Sequence, residues 1–113
     1  AMAPVRGDVV VARHRGEWIV KRVVGLPGEE VEVREGRLYV NGGNPGMQHA
    51  VMPGPLSIAP GRLGRDRYAL LGDNRSELAS TLVHAVVPSA RIMGKVLFRV
   101  RLWPVGFGVV GTG

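Results

Sequence analysis

One lysine stands where the sequence can do chemistry. Lys21 lies inside Ile19-Val20-Lys21-Arg22-Val23-Val24, a β-branched run that reads as a strand. Strand alternation puts Ile19, Lys21 and Val23 on one face. An amine held among apolar neighbours loses hydration, which penalises its charged form and lowers its pKa. A neutral amine near pH 7 acts as a general base. Arginine stays protonated and cannot take that role, and the chain carries thirteen arginines against only two lysines, Lys21 and Lys95. The competing reading is a lysine on an edge strand whose stem lies on apolar surface while its ammonium reaches water. Residue types alone leave both readings open.

Other reactive side chains form no comparable pattern. His14, His49 and His84 are far apart, with no second histidine or carboxylate at ligand spacing, so no metal site is expected. Ser57, Ser76, Ser80 and Ser89 have no elbow-like setting that would pair one of them with His84 as base. The chain has no cysteine, which excludes a disulfide scaffold and a thiolate nucleophile. No cofactor is implied. Arg6-Gly7-Asp8 spells an adhesion tripeptide, yet Gly-Asp reads better as the start of a strand. Asn74-Arg75-Ser76 fits a glycosylation sequon and is read as incidental to a turn.

The elements that must position Lys21 follow from composition. The chain has 113 residues, room for one domain, and 45% of them are apolar, enough for a core. Gly 17 and Pro 8 argue against a helical bundle and for short strands joined by turns. The net charge is +6, but the arginines are scattered singly from Arg6 to Arg101 and aromatics make up only 5%, so no nucleic-acid partner is expected. No apolar run is long enough to cross a bilayer as a helix.

Val9-Val10-Val11-Ala12 reads as a first strand and Trp18 to Val24 as a second, closed by Gly25-Leu26-Pro27-Gly28. Val31 and Val33 alternate with glutamates, Glu35-Gly36 turns the chain, and Arg37 to Asn41 returns as a hairpin arm. Prolines thin the pattern from Asn44 to Arg67, leaving Leu56-Ser57-Ile58 as a strand fragment. Tyr68 to Leu71 is a further strand, and Ser76 to Val86 is the one stretch expected to hold helical turns. Lys95 to Trp103 alternates as a single strand with Val96, Phe98, Val100 and Leu102 on one side. Trp103-Pro104 plugs the core and stops that strand, and 105–113 is expected to be a loose tail. The expected fold is mostly β, with short coiled antiparallel strands and little helix.

Set in order, these blocks resemble a known family. They are Gly7-Asp8-Val9-Val10, Trp18-Ile19-Val20-Lys21-Arg22-Val23-Val24-Gly25-Leu26-Pro27-Gly28-Glu29, Leu38-Tyr39-Val40-Asn41-Gly42, Gly72-Asp73-Asn74-Arg75, and Gly94-Lys95 before Trp103-Pro104. Their order and spacing resemble type I signal peptidases over nearly the whole chain, with 4–104 as the catalytic β domain. The resemblance implies a membrane-anchored Ser–Lys endopeptidase with its catalytic domain on the extracytoplasmic side. It would remove signal peptides from exported preproteins after small residues in an Ala-x-Ala pattern. Lys21 would be the general base. Ile19, Val20 and Val23 would line the apolar surface that desolvates it and holds small substrate side chains. Arg22 and Asp73 would form a structural ion pair near the site, and Gly72 would let the Gly72-Asp73-Asn74-Arg75 turn approach the lysine closely. The scattered arginines would favour an anionic bilayer surface, beside an anchor expected ahead of this sequence.

The match departs from the family pattern in two places. Ala1-Met2-Ala3-Pro4 stands where a Ser-Met-x-Pro box precedes the Gly-Asp strand. Ala1 to Ala3 therefore reads as vector sequence or as a remnant of that box, and the chain as given is expected to form no acyl-enzyme. Downstream, Leu78, Ser80 and Leu82 fall where the family carries a Ser and an Asp–Arg pair, with Ser80 or Thr81 left as substitute orienting hydroxyls for the lysine. Both members of that pair are replaced together, so no single buried charge is stranded. These losses leave an alternative: a non-catalytic relative acting as a peptide-binding or assembly factor.

Overall fold

In the computed structural model, residues 3–46, 55–72, 84–97, 99–103 and 106–110 are described. They form ten strands: β1 Val9–His14, β2 Glu17–Gly25, β3 Glu30–Arg34, β4 Arg37–Val40, β5 Ile58–Arg62, β6 Arg67–Leu71, β7 His84–Pro88, β8 Ile92–Lys95, β9 Arg99–Trp103 and β10 Gly106–Val110. Among the described residues the helical content is one 3-10 turn at Ser89–Arg91, and no helix is long and apolar enough to cross a membrane. A five-stranded sheet has the order β7-β6-β2-β1-β8, a three-stranded sheet β4-β3-β5, and β9 pairs with β10. Every pairing is antiparallel.

The tight hairpins follow from their turn residues. Arg15 and Gly16 link β1 to β2 with φ of 52° and 80°, and Glu35 and Gly36 link β3 to β4 with 50° and 80°. Two successive positive φ values mark the turn type whose twist matches paired strands, and glycine at the second position lowers the cost. After β2, Leu26-Pro27-Gly28-Glu29 closes with the Glu29 N–H donating to the Leu26 carbonyl at 3.1 Å. Pro27 presets one dihedral, and Gly28 supplies the φ of 84°.

The central sheet is buried on both faces where the end of β2 pairs with β6. Val23 and Leu70 join Val10, Ala12, Tyr68, Ala85 and Val87 on one side. Val24, Ala69 and Leu71 join Val33, Leu38, Leu56 and Leu63 on the other, under the three-stranded sheet. Adjacent residues of β2 and β6 thus enter different cores, so a slip of one residue would exchange the two faces.

Several sequence expectations are corrected. Leu56 is not in a strand; it is fully buried, and its carbonyl accepts the Gly36 N–H at 2.7 Å. The strand begins at Ile58 and continues through Pro60 to Arg62. Pro60 is tolerated because β5 is an edge strand with a register shift between Val31 and Val33 of its partner. Of the stretch expected to be helical, His84 to Val86 lie in β7, where β-branched Val86 and Val87 pair with Ala69 and Tyr68. The remainder, 76–83, lies outside the described residues. The single strand expected over Lys95 to Trp103 is two, because β1 begins at Val9 and supplies no further partner once the Val96 N–H has bonded to the Val9 carbonyl at 2.8 Å. Val96 and Leu97 are exposed between them. Gly106–Val110, inside the segment expected to be a loose tail, is β10, paired with β9 from Trp103 opposite Gly106 to Arg99 opposite Val110.

Gly25 marks the tightest contact between the two sheets. A Cβ there would lie 2.5 Å from Val31 Cγ2, 2.8 Å from Leu63 Cδ1 and 3.0 Å from Ala69 Cβ. Gly25→Ala is expected to lower stability by about 1–3 kcal/mol through overpacking. Gly61→Ala, where nothing lies within 4 Å, should change it by less than about 0.5 kcal/mol. Urea unfolding midpoints compare the two variants, and equal midpoints would refute this account of Gly25.

Candidate active site

Lys21 projects from the middle of β2, directly opposite Val10 of β1. Paired residues share a face, so the amine leaves the sheet beside Val10, with Ile19 and Val23 two residues away on the same side. Val23 is fully buried and Ile19 packs against the same cluster. Lys21 itself is half-buried. Burial holds its pKa below the ordinary lysine value, since the charged form loses hydration. Val20 leaves the opposite face and is 61% exposed. Of the three residues expected to line the lysine, Ile19 and Val23 accompany it, and Val20 faces away.

The strand beside Lys21 ends there. β6 pairs with β2 through Leu71 opposite Arg22, Leu70 opposite Val23 and Ala69 opposite Gly25. Gly72 is the next residue and continues toward the level of Lys21. Among the described residues, no strand pairs with Glu17 to Val20 on that side. Asp73, Asn74, Arg75, Ser80 and Thr81 lie outside the described residues. Arg22, half-buried, donates from Nη1 to the Gly7 carbonyl at 2.8 Å, and its expected partner Asp73 is among the residues not described.

The sequence reading missed two ion pairs that tie down the N-terminal segment, one to the turn after β2 and one to β8. Arg6 forks onto Glu29, with Nη1 to Oε1 and Nη2 to Oε2 both at 2.7 Å. Its Nη1 also donates to the Val24 carbonyl at 3.1 Å. Glu29 Oε1 in turn accepts the Leu26 N–H at 2.7 Å. The guanidinium keeps the Glu29 carboxyl below the usual carboxylate range, and Glu29 raises the Arg6 pKa. Asp8 accepts the Val5 N–H at 2.9 Å through Oδ2 and pairs with Lys95 Nζ at 3.1 Å through Oδ1. Arg6-Gly7-Asp8 therefore turns its charges onto the protein and does not present them as an adhesion tripeptide. Twenty-three residues separate Arg6 from Glu29, beyond the reach of any local pattern.

Two hollows flank the strand. On the lysine's side, beyond Val10, a groove of about 810 Å³ is lined by Pro4, Val5, Tyr68, Met93, Lys95 and Leu97, among others. Between the two sheets lies a smaller apolar pocket of about 230 Å³, with Val24, Val33, Ile58, Leu71 and Val86 in its wall. Among the described residues no three of His, Cys, Asp and Glu gather into a cage for a metal ion. What the arrangement offers chemically is one half-buried amine of depressed basicity on β2, with Ile19 and Val23 on its face.

Several known proteins are similar to this chain. The family model described as signal peptidase, peptidase S26 matches residues 1–103. The chain is 34% identical over 110 residues to a probable signal peptidase I-2 of Synechocystis sp., covering 90% of this chain and 50% of that protein. It is 33% identical over 112 residues to signal peptidase I of Leptolyngbya laminosa, with 90% and 54% covered. Against signal peptidase IB of Staphylococcus aureus it is 30% identical over 118 residues, with 88% and 61% covered. The chain thus spans half to about three-fifths of the curated relatives it matches. The crystal structure of a signal peptidase I from Enterococcus faecalis shares the fold, with a TM-score of 0.67 at 23% identity, covering 84% of this chain and 97% of that one.

The Arg6–Glu29 fork carries a pH signature. The Glu29 pKa is depressed on folding, so its stabilisation is present above the unfolded carboxylate value and is lost as pH falls through the folded one. Arg6 stays charged throughout. Glu29→Gln is expected to cost about 1–3 kcal/mol at pH 7, the range for a lost charged hydrogen bond. The deficit should shrink by pH 3, measured by denaturant unfolding at both values. A deficit independent of pH would refute the assignment.

Proposed function

The chain belongs to the signal peptidase, peptidase S26, family, and from that premise we propose that it is the base-bearing β domain of a membrane-associated serine endopeptidase that removes signal peptides from exported proteins. The observation that carries this reading is Lys21, a half-buried amine whose basicity is lowered by burial, on the same face of β2 as Ile19 and Val23.

In this mechanism the substrate lies extended along Glu17 to Val20 and completes the sheet through main-chain hydrogen bonds. The scissile carbonyl then comes to the level of Lys21. Neutral Lys21 takes the proton from the serine hydroxyl of a Ser-Met-x-Pro box as that oxygen attacks the carbonyl carbon. The ammonium so formed gives the proton to the departing amine, leaving an acyl-enzyme ester. Lys21 then takes a proton from the water that hydrolyses the ester. Cleavage follows small side chains in an Ala-x-Ala pattern. The 113 residues offer Ala1-Met2-Ala3-Pro4 at the place of the serine box, so by themselves they form no acyl-enzyme. Signal-peptide-bearing preproteins are the partners, the domain works on the extracytoplasmic side, and no cofactor takes part.

A second reading rests on Leu78, Ser80 and Leu82, which stand where the family carries a Ser and an Asp–Arg pair. On that reading the protein binds peptides without cutting them.

The protein made from its native start codon, in detergent, separates the two. Cleavage of a leader peptide carrying Ala-x-Ala, followed by mass spectrometry, is expected in the parent. Lys21→Ala should reduce it by about 10²–10⁴-fold, the usual contribution of a general base. Because the base must be neutral, kcat/KM should rise with pH through a pKa below that of ordinary lysine. Full activity in Lys21→Ala would sink the base assignment, and binding without turnover in the parent would favour the non-catalytic reading.

A further inference from the structure

The second lysine shares a face with the first. Lys95 of β8 stands opposite Val10 of β1, and Val10 stands opposite Lys21 of β2. Paired residues share a face, so the two amines leave one side of the sheet with Val10 between them. Two strand spacings separate their Cα atoms, about 10 Å. Asp8 lies two residues before Val10 and faces the same way. Its carbonyl accepts the Val23 N–H at 2.7 Å, which sets Asp8 beside Val23 and diagonal to Lys21. Diagonal neighbours lie about 7–8 Å apart, a gap that long side chains span.

That placement is a hazard for a base. A carboxylate brought against an amine favours the ammonium, and an ammonium cannot take a proton. The Asp8 side chain is 11% exposed, so water screens its charge poorly. Both of its oxygens are engaged. Oδ2 accepts the Val5 N–H at 2.9 Å, and Oδ1 meets Lys95 Nζ at 3.1 Å. Lys95 thus draws the carboxylate toward β8 and away from β2. Among the described residues, the other titratable groups on this side stand farther off. Glu17 and His14 close the hairpin four residues from Lys21 and Val10, about 13 Å along the strands. Leu71 pairs with Arg22, so β6 carries Tyr68 and Asp66 away from the lysine. From β7, Ala85 and Val87 face this core.

We propose that Lys95 is a positioning residue for the base: it holds Asp8 toward β8 and keeps that carboxylate off Lys21. The inference rests on the reading of Lys21 as the base in the proposed function. The charges of Asp8 and Lys95 nearly cancel at Lys21, which leaves burial to set its basicity. A pair that served only to pin the N-terminal segment would cost stability when either member is replaced and would leave the titration of Lys21 unmoved.

The test reads both amines directly, because the 113-residue chain has only two lysines. Lysine isotope-labelled at Cε is titrated by NMR, and the signal lost in Lys95→Met identifies Lys95. In the parent, Lys21 should titrate below ordinary lysine. Lys95→Met releases Asp8 and should raise the Lys21 midpoint. Asp8→Asn keeps an acceptor for the Val5 N–H but removes the charge. It should lower the midpoint, since the Lys95 ammonium is no longer cancelled. The double variant should return close to the parent, and Lys95→Gln repeats the first arm should the methionine variant not fold. In the protein made from its native start codon, Lys95→Met should lower kcat/KM at neutral pH about tenfold, the smaller end of what a neighbouring carboxylate does to an amine. Its pH profile should move upward with the Lys21 midpoint. Midpoints that do not move in opposite directions in the two single variants overturn the inference and leave the proposed function standing. A parent midpoint at the ordinary lysine value overturns the lysine base and the inference with it.

Discussion

Val23 and Val24 are neighbours in the chain and are buried in opposite cores. That division constrains everything around β2. A strand whose consecutive side chains are both committed cannot slip by a residue without exchanging the two faces. Gly25, next in line, lets Val31, Leu63 and Ala69 close over the backbone where a methyl group would collide. Lys21 sits just before this locked stretch, so its height above the sheet and its neighbours, Val10, Ile19 and Val23, are fixed by packing that serves other purposes. An amine with lowered basicity is the product of that geometry.

The charged residues near the strand secure it from outside. Arg6 reaches the Val24 carbonyl and forks onto Glu29, while Glu29 also holds the Leu26 amide. Arg22 binds the Gly7 carbonyl from the opposite direction. The backbone hydrogen bonds from Gly7 N to Val23 O and from Val23 N to Asp8 O, at 2.8 and 2.7 Å, fasten the same short segment. The two ends of the lysine strand are therefore held differently. The end after Lys21 is tied by side chains and main chain alike, and the hairpin end, at Trp18, is held by β1 alone among the described residues. Among the described residues, the end after Lys21 is thus the more firmly held of the two.

Much of this was legible in residue order. Strand alternation around Lys21, the Glu35-Gly36 turn and the Leu26-Pro27-Gly28 bend are local patterns with local causes, and the lysine stood out because arginine replaces it almost everywhere else. Long-range facts were illegible. Nothing near Arg6 announces Glu29, and Leu56 looks like a strand fragment until the hairpin turn at Gly36 takes its carbonyl. The alternation of Lys95 to Trp103 runs unbroken in sequence, yet β8 ends where β1 runs out of residues to pair with it. Val20 is expected to line or support the substrate surface, and the strand sends its side chain to the face opposite Lys21.

The proline in β5 has a consequence for how the molecule behaves among its own copies. An exposed strand edge invites an exposed strand of a neighbouring molecule to pair with it. Pro60 in β5 removes a donor from the outer rim of the three-stranded sheet, and Pro88 ends β7 at the rim of the larger one. Lys95, at the far rim in β8, is half-exposed and charged. Each of these rims is blunted by a residue that makes stacking into a continuous ribbon costly.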